Sequence, residues 1–106
     1  MHVYLAARHV ALSDGLRTYV EKHLVGPIRR HTGLNIARIE VQLFIEGTQG
    51  GCHVLVGLKR HHDINVRELQ DNLQAAIDVA RDRVVHRLTE TRDKILTQRR
   101  HPKKFS

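Results

Sequence analysis

At 106 residues the chain has room for one modest core, and its single cysteine, Cys52, excludes an internal disulfide and a multi-cysteine zinc site. Aromatics are scarce (Tyr4, Tyr19, Phe44 and Phe105) and tryptophan is absent, so Leu, Ile and Val must fill that core. Residues 1–78 hold nine Lys or Arg against eight Asp or Glu, a net of +1, whereas residues 79–106 hold nine against three, a net of +6. Solubility needs no such asymmetry; a polyanionic partner would.

The opening "HVYLAA" (2–7) alternates, with Val3, Leu5 and Ala7 on one side, and predicts a strand. It lacks a signal peptide's apolar region, and no apolar run approaches a membrane span, so a cytoplasmic protein with no membrane partner is expected. Ser13 suits a helix N-cap, and Leu12, Leu16, Val20 and Leu24 recur at spacings of four, one apolar stripe of a helix. Gly26-Pro27 interrupts that helix, because a proline removes a hydrogen bond and clashes with the preceding turn. A kink, or a fresh helical turn with Pro27 at its first position, is expected there, with Gly33 ending the helical region.

"IARIEVQLFIE" (36–46) predicts a strand with Ile39, Val41, Leu43 and Ile45 inward and Arg38, Glu40, Gln42 and Phe44 outward. "GTQGG" (47–51) reads as a hairpin loop, and "CHVLVGL" (52–58) returns with Cys52, Val54, Val56 and Leu58 inward. A basic turn, "KRHH" (59–62), leads to a short strand, "DINVRE" (63–68). A long helix from about Asp71 to about Gln98 follows, with the core stripe Leu73, Ala76, Ile77, Ala80, Val84, Leu88 and Ile95. The fold class is α+β in the order β-α-β-β-β-α: a four-stranded mixed sheet with both helices on one face and the other face largely solvated. Residues 1–98 are expected to form one domain and residues 99–106 a basic tail.

On a helical wheel, Arg83, Arg87 and Lys94 fall on one flank of the long helix and Arg81, Arg92 and Arg99 on the other. Asp71, Asp78, Asp82 and Asp93 gather on the outermost face. Two basic rows beside the core stripe suit phosphate contacts, where charge and forked donors matter more than aromatic stacking. The nine histidines show no HxxxH or HExxH spacing, so no metal site and no cofactor are expected. Cys52 and His53 are strand neighbours whose side chains diverge, and "EGTQGG" lacks the Lys and Ser or Thr of a phosphate loop, so no enzyme is expected. An RNA-recognition motif would need aromatics on the middle strands, where Phe44 stands alone. The α-β-β-β-α segment instead matches the element order of double-stranded RNA-binding domains, which read shape and phosphates.

"MHVYLAARHVALSDGLRTYVEKHL" and "DNLQAAIDVARDRVVHRLTETRDK" resemble the ribosome hibernation-promoting factor and ribosome-associated inhibitor family, over nearly all of residues 1–95. "NLQAAID" (72–78) stands where that family has D-M-Y-A-A-I-D, Asp82-Arg83-Val84 where it has D-K-L, and Arg92 and Lys94 match two spaced lysines. The chain departs at Glu90, where the family usually has a lysine, at His86-Arg87, which replaces Arg-Gln, and at Gly26-Pro27.

The resemblance implies a stress or stationary-phase inhibitor of translation. Such a factor docks on the small ribosomal subunit, against ribosomal RNA and neighbouring proteins, and occupies the mRNA and tRNA sites. The expected RNA contacts are Arg81, Arg83, His86, Arg87, Arg92, Lys94, Arg99 and Arg100, joined by Lys22, Lys59 and Arg60. A short-type factor without a second dimerisation domain, monomeric when free, is expected. Two other readings remain open: a protein-binding regulator of a sigma factor, which the family has also been labelled, and a general double-stranded RNA-binding module.

Overall fold

The computed structural model describes residues 1–31 and 33–100, with side chains through 97. Strand β1 (His2–Arg8) turns Leu5 and Ala7 toward the core. After it, the Ser13 side chain accepts the Leu16 N–H at 3.1 Å and starts α1 (Asp14–Val20), as an N-cap should.

The helix does not break at Gly26-Pro27. Residues Glu21–Val25 form a π-helical turn, in which the N–H of Gly26 donates to the carbonyl of Glu21. A short α2 (Gly26–Arg29) follows, carrying Pro27 as its second residue. The wider turn falls just before Pro27, which has no N–H to donate and whose ring in a regular α-helix would crowd the carbonyl four residues back. The expected fresh helical turn is present, with Pro27 one residue after its start, and the π turn that precedes it takes the place of a kink; Gly33 (φ 94) directs the chain onward after α2 has ended at Arg29.

Strand β2 (Ile36–Glu46) runs parallel to β1, with Val41 beside Leu5 and Leu43 beside Ala7. A parallel pair requires a crossover, which the helical segment supplies. β3 (Gln49–Leu58) returns antiparallel and sets Val56, Val54 and Cys52 against Ile39, Val41 and Leu43. β4 (Ile64–Gln70) adds Ile64 and Val66 opposite Val56 and Val54. The sheet order is β1-β2-β3-β4, leaving β1 and β4 as its edges.

Helix α3 (Leu73–Arg100) is capped by Asn72, whose side-chain oxygen accepts the Ala75 N–H at 2.8 Å. Ala76, Ile77, Ala80, Val84 and Leu88 are fully buried and share one core with Val20, Leu24, Val25 and Ile28 and with the inward residues of the sheet. Both helical layers therefore lie on the same sheet face. Each large aliphatic side chain so buried contributes about 1.5–3 kcal/mol. A cross-helix tie aligns the two layers: the Tyr19 hydroxyl donates to the Asp78 carboxylate at 3.0 Å, with the His23 ring stacked 4.1 Å away on Tyr19. Burial, then the Asp78 hydrogen bond, raises the Tyr19 pKa.

The opposite sheet face is mostly exposed, with one buried aromatic. Phe44 lies over Gly51, where a Cβ would collide with its ring, and the Arg67 guanidinium sits 4.8 Å above the ring centroid. Glycine below and arginine above leave Phe44 only 4% exposed on the face where alternation places it. Among the described residues no helix is long and apolar enough to cross a membrane.

Candidate nucleic-acid interface

The first basic flank of α3 borders β4. Arg83, His86 and Arg87 line a groove of about 490 Å³ with Asn65 and Glu68. Arg83 Nε lies 2.8 Å from Glu68 Oε2; the Glu68 side chain is 11% exposed and that of Arg83 65%. Arg87 Nη1 donates to the Asn65 carbonyl at 3.4 Å, and His86 Nε2 lies 3.6 Å from Glu90 one turn further on. Arg83 and Arg87 face three acids (Glu68, Asp82 and Glu90), while the Arg67 guanidinium is turned to Phe44 and Glu46 on the other sheet face, so the groove carries no excess of positive charge. Glu90 contributes directly to that balance. A phosphate entering here would have to compete with carboxylates already in place.

The end of the molecule differs. The β3–β4 turn places Arg60 at φ 68, a left-handed conformation, and the Lys59 N–H donates to the Asn35 carbonyl at 3.0 Å, which pins the turn to the segment before β2. Arg60, His61 and His62 thereby face Lys94 and Ile95 of α3 across a cavity of about 600 Å³. On the neighbouring side, Lys59, Arg60, His61 and Arg92 line a pocket of about 310 Å³ that, among the described residues, contains no acidic side chain. Arg92 reaches it over Gly33, where a Cβ would stand 2.6 Å from Arg92 Cδ; only glycine admits the arginine stem. Arg92 also pairs with Asp93 at 3.3 Å. Among the described residues Lys59, Arg60 and Lys94 form no ion pair. On its other side Lys94 borders Asp63, Glu90 and Asp93 without pairing with them, so the distal cations are free of ion pairs rather than of acidic neighbours; cations converging from a turn and a helix suit a polyanion's phosphates.

The expected contact residues thus separate into groups. Arg83, His86 and Arg87 lie together on the β4 side, and Lys59, Arg60, Arg92 and Lys94 meet at the distal end. Arg81 stands on the other flank, 3.0 Å from Asp82 and 3.9 Å from Asp78. Lys22 is remote from all of them, beside β1. Arg99 and Arg100 continue α3, but their side chains lie outside the described residues, as do residues 101–106 of the tail. His61 and His62 belong to the distal group and were not among the expected contacts; their place in the run "KRHH" was the available signal.

The result is a small α+β domain with one sheet face covered by helices and one end where cations from a turn and a long helix meet. The chain belongs to the sigma 54 modulation protein / S30EA ribosomal protein family, whose model matches residues 3–96. It is similar to the Protein Y N-terminal domain of Thermus thermophilus, with 31% identity and a TM-score of 0.74 over 87% of this chain and 100% of that one. It also shares its fold with a ribosomal subunit interface protein of Coxiella burnetii, at 21% identity and a TM-score of 0.68, covering 92% of this chain and 99% of that one. No curated protein matches the chain.

Proposed function

We propose that this protein binds the small ribosomal subunit in the cytoplasm as a monomer and inhibits translation by occupying the mRNA and tRNA sites. The observation that carries this reading is the convergence of Lys59, Arg60 and Lys94, without acidic partners among the described residues, at one end of a domain of this ribosome-associated family. Inhibition then requires occupancy only; no bond is made or broken. Phosphate contacts supply affinity, and the rigid α3–turn geometry supplies the shape match.

Cosedimentation of the purified chain with isolated ribosomal subunits at near-physiological salt tests the proposal. Association with the small subunit that added mRNA and tRNA displace supports it. Salt-insensitive binding to a sigma factor, with no subunit association, would replace it by the regulator reading. Equal binding to any duplex RNA would replace it by a general RNA-binding module.

A further inference from the structure

The two edges of the sheet are finished differently. Along β4, α3 packs closely, and Arg87 donates to the Asn65 carbonyl. β1 has β2 as its single neighbour, and five of its seven residues are exposed. A strand with one neighbour presents an outer row of unpaired N–H and C=O groups, a template for another strand. Such edges are commonly blunted by a covering element or an inward-pointing charge, and among the described residues β1 has neither.

Beside that edge, β1 and the first helical segment enclose a groove of about 670 Å³. Val3, Leu5 and Val25 give it an apolar floor, and Val3 is 37% exposed. Arg17 and Lys22 line its helical wall and form no ion pair among the described residues. The acid there, Glu21, is engaged by Arg29 at 3.1 Å. The groove therefore combines a backbone template, an apolar floor and two uncompensated cations.

We propose that the free edge of β1 is a docking site for an extended, acidic segment of a partner protein, taken up as a fifth strand. Its backbone pairs with β1, its inward apolar residues cover Val3 and Leu5, and its carboxylates meet Arg17 and Lys22. Charge complementarity selects this occupant. A second copy would offer β1 itself, "HVYLAAR", which holds no acid, and the chain's own tail, "RRHPKKFS", is basic throughout. An RNA strand could meet the two cations but has neither the alternating amide groups for the edge nor apolar side chains for the floor.

The test uses the full chain, labelled with nitrogen-15, and follows amide exchange along β1. The probes are a short peptide of alternating Val and Glu, its Val–Lys counterpart, and a single-stranded RNA. The Val–Glu peptide should slow exchange at alternate β1 amides, and the Val–Lys peptide should not. The double variant Arg17→Glu/Lys22→Glu, both on the exposed helical wall, should weaken Val–Glu binding roughly tenfold or more. The proposal is overturned by unchanged β1 exchange with the acidic peptide, or by equal binding of that peptide to the charge variant. Protection of the same amides by RNA, or by self-association in the absence of peptide, would overturn it as well.

Discussion

From Leu73 to Leu88 the sheet-facing side of α3 is sealed against the core, and the arginines on its shoulders are engaged: Arg83 with Glu68, Arg81 with Asp78 and Asp82, Arg87 with a β4 carbonyl. From Thr89 onward the sheet falls away, Ile95 is half-buried and Leu96 is 38% exposed, while Lys94 faces the Lys59–His62 turn with no acid bound to it among the described residues. Equal positive charges along one helix therefore do different jobs. Arg83 and Arg87 help to seat α3 on the sheet, Arg81 is held by acids of its own helix, and the distal cations remain available to a polyanion.

Core truncation should separate the two regions most widely. Leu88→Ala, at a fully buried site, should cost about 2–5 kcal/mol, whereas Leu96→Ala should change stability by no more than about 0.5 kcal/mol. Denaturant unfolding measures both; similar losses would erase the boundary. Tyr19→Phe, which leaves the Asp78 carboxylate without its inter-helix donor, should cost about 1 kcal/mol in the same assay.

A smaller effect is expected at the proximal ion pair. Arg83→Gln deprives the nearly buried Glu68 carboxylate of its partner and should lower stability by up to about 1 kcal/mol, the upper end for ion pairs open to solvent. Lys94→Gln should leave unfolding unchanged. If both substitutions proved neutral, the proximal arginines would not be structural.

The smallest effect near neutral pH concerns Cys52. Burial, then the nearby Glu68 charge, pushes its thiol up to about 12 from 9.0, so it should resist alkylation in the folded chain at mildly alkaline pH. The unfolded thiol ionises first, so this contribution to stability is intact below pH 9.0 and is lost as pH rises toward about 12. Rapid labelling of the native protein would show that Cys52 is not sealed.

Much of the fold was legible because the apolar periods were clean. The alternation of Ile39, Val41 and Leu43 fixed the inner face of β2, and the stripe from Ala76 to Leu88 fixed the buried face of α3. The π turn was not legible, since Gly26-Pro27 signals an interruption without saying whether the helix bends or gains a residue. The seating of Phe44 depends on Gly51 and Arg67 from two neighbouring strands, contacts without a local signature. The helical wheel set Arg83, Arg87 and Lys94 on one flank but could not distinguish them: Arg83 meets Glu68 only because β4 lies there, and Lys94 faces Arg60 only through the position of the turn. Lys22 shares their charge and not their surface.

Two triple variants that remove equal charge test the division of labour most directly. Lys59, Arg60 and Lys94 are changed to glutamine in one, and Arg81, Arg83 and Arg87 in the other, with folding of each verified by circular dichroism. Small-subunit cosedimentation is then measured across a salt series. The distal variant should lose at least about tenfold more affinity than the proximal one, and its salt slope should flatten by about 2–3, near 0.7–0.9 for each phosphate contact removed. Equal losses in the two variants, or a greater loss in the proximal one, would contradict the account.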